Sequence, residues 1–223
     1  MQAGLTRLFR SIPKTGFELE FDSTIPAAAA GAQARPGSLK DGRLGKILIQ
    51  GPSGNRCGFI NQLLHEGPPG HLLQMHLASE LGTDSEFRRR GWVAYSEGWA
   101  HYAAGLGEEL GLELAPGVQA ERLNGRLFMA VRAAIETGIH WKGWTRNQAV
   151  DFYKSVMPWA PSARIETEVD EAIGSPGQRL AYMLGQRAIL DLRTEASKQL
   201  GERFDIREFT TKFCEMGSFR WTY

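Results

Sequence analysis

Two stretches decide the reading of this chain: LLHEGPPGHLLQMH at residues 63–76 and YSEGWAHYA at residues 95–103. Apolar residues flank Gly67-Pro68-Pro69-Gly70 on both sides. Proline removes a backbone donor and clashes with the preceding turn, and it drives the residue before it out of helical geometry. The tetrad therefore predicts one helix ending at Glu66, from about Phe59, and a second running from Gly70 to Leu81. On one unbroken helix, the six residues from His65 to His71 would turn their side chains roughly 240° apart. Across a break the two imidazoles can meet.

The residue types in these stretches match those of a hydrolytic metal site. Catalytic zinc takes three protein ligands from histidine nitrogen and carboxylate oxygen, and keeps a fourth position for water. His65, His71 and Glu97 supply such a set. Glu66, beside the first histidine, is placed to take the proton of an attacking water, as the glutamate of H-E-x-x-H proteases does. The six-residue spacing departs from that motif, in which the histidines are four apart.

The rest of the chain bounds the class. At 223 residues it can form one domain with a real core. We expect residues 1–45 to be an irregular N-terminal segment and residues 46–223 a single helical domain. The net charge is +1 with both signs interspersed, which gives no electrostatic case for nucleic acid or an anionic membrane surface. Cys57 and Cys214 form neither a disulfide framework nor a zinc pattern, and are expected as reduced thiols. MQAGLTRLFRSIPK lacks the apolar core of a signal peptide, and about 18 consecutive apolar residues occur nowhere. As written, the chain is expected to be cytoplasmic; an N-terminus shortened from a longer one would reopen export.

Taken in order, FELEF (17–21) alternates like a short strand, and Ala27–Ala30 could start a helix but have little room between Pro26 and Gly31. KILIQ (46–50) reads as the best strand. It is a candidate edge for a substrate peptide to pair with, or one arm of a hairpin with FELEF. A charged loop over 83–90 precedes a helix from Trp92 to Leu110. There Glu97 and His101 are four apart and share a face, so His101 is either a fourth ligand, a partner to a ligand, or a partly buried histidine satisfied locally. His76 points elsewhere. Val118 to Thr137 forms the next helix, with Leu123, Leu127, Ala130, Val131 and Ala134 apolar and Gly138 as C-cap.

Thr145 and Gln148 make a capping box for a helix to Met157. Ser162 caps the segment through Gly174, and a long helix spans Gln178–Leu200. On it Tyr182, Ile189 and Arg193 lie on one stripe. A tyrosine hydroxyl can assist an oxyanion, and an arginine can grip a carboxylate or simply pair with a neighbouring acid. Asp205 with Glu208 caps a last helix ending near Met216. No internal repeat, phosphate loop or repeated Glu-x-x-His pair is present.

HEGPPGHLLQ followed by SEGWAHYAAGLGEELG resembles the signature of the bacterial family called domain of unknown function 885, whose usual forms are HEA-x-PGH-x-x-Q and SEGWALYAE. TGIHWKGWTRNQAVDFY, SPGQRLAYMLGQRAILDLR and GERFDIREF resemble later family motifs and come in family order, so the likeness runs from about Leu39 onward. It implies a mainly α, multi-helix fold similar to gluzincin metallopeptidases, with a short β segment near the N-terminus. It also implies Zn2+ on His65, His71 and Glu97, Glu66 as general base, and a peptide substrate. His140, in the family's TG-x-H turn, is implied as a hydrogen-bond donor to the oxyanion, though a lone histidine beside two tryptophans can equally be structural. Tyr182 is the second candidate for the oxyanion and Arg193 the candidate for substrate binding.

The likeness has departures. His101 stands where leucine is usual, Ala104 where glutamate is common, and Glu171 where arginine is common. Family members are commonly more than twice as long, so a helical half that walls the substrate channel has no counterpart here; a homo-oligomer would be one way to rebuild it. The expectation is a zinc-dependent peptidase-like hydrolase. The alternatives are a shortened relative that binds metal without turnover and a helical interaction domain.

Overall fold

The computed structural model of the protein describes residues 2–21, 32–49, 56–80 and 92–216. The alanine run at 27–30, the end of KILIQ at Gln50 and the charged loop at 83–90 lie outside the described residues. The described chain is mainly helical with one small sheet, as expected.

In order, the elements are α1 (Gln2–Leu5), β1 (Phe17–Phe21), β2 (Ala32–Arg35), β3 (Gly45–Ile49), α2 (Arg56–Glu66), α3 (His71–Glu80), α4 (Val93–Ala104), α5 (Pro116–His140), α6 (Arg146–Val156), α7 (Ser162–Gly174), α8 (Gln178–Leu200) and α9 (Ile206–Glu215). The Gly-Pro-Pro-Gly break separates α2 from α3 as the spacing predicts.

The sheet corrects one expectation. Its order is β1-β3-β2, with β3 parallel to β1 and antiparallel to β2. KILI (46–49) is thus in the centre of the sheet, with its backbone groups engaged on both sides, so it cannot receive a substrate strand. Among the described residues the open edge beside the helices is β2, Ala-Gln-Ala-Arg, which carries none of the β-branched residues that mark a strand. Ile47 and Ile49 pack their buried sides against Leu72 of α3.

The N-terminal residues are also less irregular than expected. Leu5, Leu8 and Phe9 are buried in the main core with Leu64, Leu73, Leu77, Tyr95, Trp99, Tyr102, Ile189 and Phe213. Their i, i+3, i+4 spacing is one helical face, too short to be stable alone and held by packing. His76 also has a place here: its Nε2 accepts a hydrogen bond from the Gly37 amide at 2.9 Å, tying the approach to β3 onto α3.

α4 is shorter than predicted. It ends at Ala104, and turns follow to Gly111, whose φ of 81° is open to glycine without strain. Leu106 and Leu110 remain in the core, so the apolar pattern outlasts the helix. α4 lies against α8 through Gly98 and Gly185, where a Cβ on either would strike the other's backbone.

A second core joins α5, α6 and α7 through Val131, Ile135, Val150, Tyr153, Ile165 and Val169. The Thr145–Gln148 capping box is present, and Asp205 caps α9 by accepting from the Arg207 amide at 2.8 Å. Ser162 is the first residue of α7, with Pro161 in the cap position. α5 runs three residues past Thr137, through Gly138 to His140. Gly138 is small because the Trp144 indole lies where a side chain would be.

Candidate metal centre

The break between α2 and α3 builds the site. Gly70 is pressed against the end of α2, where a Cβ would fall on the His65 carbonyl, so only glycine lets the chain turn back this closely. α3 begins directly at His71, and the Gln74 amide bonds the Gly70 carbonyl at 3.1 Å. Trp99, two residues after Glu97 on α4, donates its indole N–H to the Pro69 carbonyl at 3.1 Å. The hinge and the third candidate ligand are thereby held in one piece.

The geometry brings the predicted trio together. His65 Nε2 and His71 Nε2 lie 3.4 Å and 3.3 Å from the same oxygen of Glu97, Oε2. The two imidazoles meet edge to face, 4.8 Å between centroids and 88° between planes. One ligand atom from each of the three residues lies within 4.8 Å of the others. An ion bound at about 2.1 Å to each ligand of a tetrahedron needs ligand atoms about 3.4 Å apart. The two separations from Glu97 Oε2 are of that size, and histidine nitrogen with carboxylate oxygen is a donor set that zinc takes.

Burial alone would raise the Glu97 pKa, but hydrogen bonds to His65 and His71 outweigh it and hold the carboxyl well below its ordinary range. Burial alone would lower that of His71, yet the bond to Glu97 and its charge carry it upward. Glu66, with 13% of its side chain exposed, stands 3.9 Å from His65 Nε2. Burial pushes its pKa up, while the histidines and a backbone hydrogen bond from Ala34 of β2 act against that.

His101 does not join the trio. Its ring stands 4.8 Å from that of His65 and 5.4 Å from Tyr182, and Nε2 is buried with no hydrogen-bond partner among the described residues. Burial first, then the neighbouring His65, lower its pKa to about 3, so it is neutral.

His65, Glu66, His71, Glu97 and His101 line one cavity of about 1140 Å³ bounded by β2 and by α2 to α8. Tyr182 lines it too, its phenol receiving a hydrogen bond from Gln178 Nε2 at 3.1 Å. Burial, then the charge of Glu97, push the Tyr182 pKa up.

Two expectations fare differently. His140 is exposed, does not line the cavity, and pairs through Nε2 with the Ala172 carbonyl of α7 at 2.8 Å. It ties the end of α5 to α7, because α5 continues past the anticipated turn. Arg193 lines the cavity but is bound to Glu109 through both Nη atoms, at 3.1 and 2.8 Å, and to the Tyr102 hydroxyl at 3.0 Å. The second reading of that arginine, a partner for a neighbouring acid, is the one observed.

Other residues escaped the sequence reading. Buried Arg132 of α5 sits with Cζ 4.9 Å over the Tyr182 ring and Nε 3.0 Å from Glu168. Arg179 lies between Glu168 and Glu171. Buried Glu136 accepts from the amides of Arg179 and Leu180, at 2.7 and 3.1 Å, and from that of Gly177, which anchors the start of α8 and so Tyr182. The available signal was charged residues on buried faces: Glu168 lies between Ile165 and Val169, and Glu136 follows Ile135.

Two solved structures share the fold, each described as a putative lipoprotein. The one from Colwellia psychrerythraea aligns with a TM-score of 0.86 at 31% identity, over 97% of this chain and 38% of that one. The one from Shewanella oneidensis aligns with a TM-score of 0.76 at 24% identity, over 97% of this chain and 41% of that one. The chain spans about two fifths of the length of these relatives. No curated protein matches it. The profile of the family described as "Bacterial protein of unknown function (DUF885)" matches residues 1–219, from the N-terminal core residues to the end of α9, and the chain belongs to that family.

Proposed function

We propose that the protein is a zinc-dependent, peptidase-like hydrolase that directs water at a peptide carbonyl. The observation that carries this reading is the convergence of His65, His71 and Glu97 with the largely buried Glu66 beside them. Two histidines and a carboxylate also suit non-haem iron. A buried carboxylate next to the ligands, in a cavity that meets an open strand edge, favours hydrolysis.

Zinc on the three ligands would supply a Lewis acid for the carbonyl and lower the pKa of water. Glu66 takes a proton from that water and returns it to the leaving amine. Tyr182, kept protonated by its raised pKa, donates to the oxyanion. The edge role passes from KILIQ to β2: Ala32, Gln33 and Ala34 line the cavity, the Ala34 amide faces Glu66, and an extended peptide can pair with the outward backbone groups of Ala32.

The lipoprotein descriptions of the two solved relatives support a place at the cell envelope over a cytoplasmic one. No helix among the described residues is long and apolar enough to cross a membrane.

The test is Glu66→Gln assayed on a peptide library with zinc. Hydrolysis should fall at least about a hundredfold, the usual scale for a general base, while zinc stays bound. Loss of zinc with the substitution would make Glu66 a ligand. Wild-type protein that holds zinc and cleaves nothing would be the inactive metal-binding relative.

A further inference from the structure

The part of the cavity wall built by α5 and α7 carries arginines that no carboxylate among the described residues pairs with. Arg122 and Arg126 sit four residues apart on the cavity face of α5, and Arg164 comes from α7. The other charged residues of the cavity are largely accounted for. Glu109 is held by Arg193, Glu168 by Arg132, Glu171 by Arg179, and Glu97 by the two histidines. Among the described residues no carboxylate pairs with Arg122, Arg126 or Arg164. Arg122 gives one N–H to the Gly105 carbonyl at 3.2 Å, and Glu121 is the acid left on that face.

The position of Arg164 is informative. Its Cζ lies 4.8 Å from the Phe128 ring centroid, and Arg132 lies 5.1 Å from the same ring. Arg132 is neutralised by Glu168 at 3.0 Å, whereas Arg164 is not. Stacking on an aromatic face orients a guanidinium and reduces the entropy lost when it grips a planar anion. The Tyr153 hydroxyl lies beside the Arg164 guanidinium, buried and among the described residues without a hydrogen bond of normal geometry, and its proton is a further donor on the cavity wall.

A continuous chain of ring contacts joins this wall to the ligands. It runs from His65 to His101, Tyr182, Arg132, Phe128 and Arg164, each step about 5 Å. An extended peptide advances about 3.3 Å per residue, so a group bound at Arg164 lies within roughly eight residues of a carbonyl held at the metal centre, even along the full length of this path.

We infer that Arg126 and Arg164, with Arg122, form a subsite for a substrate carboxylate, either the C-terminal carboxylate or an Asp or Glu side chain. The inference rests on the hydrolase reading for its placement of the peptide. Arginine on a carboxylate forms paired, charge-assisted hydrogen bonds, which makes the class of anion specific.

The test is binding to zinc-loaded Glu66→Gln protein, which holds peptide without cleaving it. Four hexapeptides of one sequence are compared, with Glu or Gln at the third position and a free or amidated C-terminus. At least one of the two carboxylates should tighten binding about tenfold, and the peptide that shows it identifies which source the subsite takes. In Arg126→Gln/Arg164→Gln on the same background that preference should vanish while the neutral peptide binds as before. Both arginines are exposed, so the fold should hold, and an unchanged melting temperature checks it. Equal binding of all four peptides, or a preference that survives the double substitution, overturns the inference. Wild-type protein that shows the preference yet cleaves none of the four would sink the hydrolase reading and leave the subsite standing.

Discussion

The indole N–H of Trp99 donates to the Pro69 carbonyl at 3.1 Å, joining the helix of the third ligand to the hinge between the first two. Trp99 is fully buried, stacked on Phe213 at 5.1 Å and edge-on to Phe9 at 6.1 Å. Its position is therefore fixed from the core side, and the bond transmits that rigidity to His71. Trp99→Phe keeps an aromatic ring and strands the carbonyl, which should cost about 1–3 kcal/mol in denaturant unfolding. Zinc affinity should fall with it. Full zinc affinity in a destabilised Trp99→Phe protein would show that the hinge holds its shape without this bond.

The Gly98–Gly185 contact makes a second prediction. Helices α4 and α8 approach so closely there that a Cβ on Gly98 would reach the Gly185 backbone. Gly98→Ala should destabilise the protein by about 1–3 kcal/mol through overpacking. Gly125, in mid-α5, has open space where a Cβ would go, and Gly125→Ala should stabilise by up to about 1 kcal/mol. Equal melting shifts in the two variants would contradict the packing assigned to α4 and α8.

Much of the site could be read from residue type and spacing alone. Prolines end helices regardless of context, so the hinge and the meeting of His65 with His71 followed from Gly67-Pro68-Pro69-Gly70. The capping box at Thr145 and the cap at Asp205 were equally local. The misreadings share a different cause. Whether KILIQ is central or marginal depends on which segments flank it, and the edge strand AQAR has no strand signature of its own. Leu106 and Leu110 keep the apolar period of a helix after the backbone has turned. His140 lies outside the cavity because α5 continues past Thr137, where a tryptophan from the following loop packs over Gly138. Arg132 and Glu168 are identified only when three helices are seen to enclose them.

His76 gives the protein a pH dependence that is separate from the metal ligands. The ring is buried and accepts the Gly37 amide, and burial holds its pKa below the ordinary 6.5, with the charge of Glu80 opposing. Below pH 6.5 the unfolded chain therefore takes up a proton that the folded one refuses. The stabilisation is complete above that value and is lost as pH falls through the folded pKa. Unfolding free energy measured by denaturant from pH 7.5 to 5 should decline less steeply in His76→Gln than in wild type. Identical slopes would remove His76 as the source.

The central claim is that one ion sits between His65, His71 and Glu97, and zinc titration of chelator-stripped protein by calorimetry tests it most directly. The account predicts one zinc per chain in wild type and in Glu66→Gln. In His71→Ala affinity should drop on the order of 100-fold or more, since loss of even outer partners of a ligand costs 10–100-fold. Absence of zinc binding in wild type, or His71→Ala binding zinc as tightly as wild type, would contradict it.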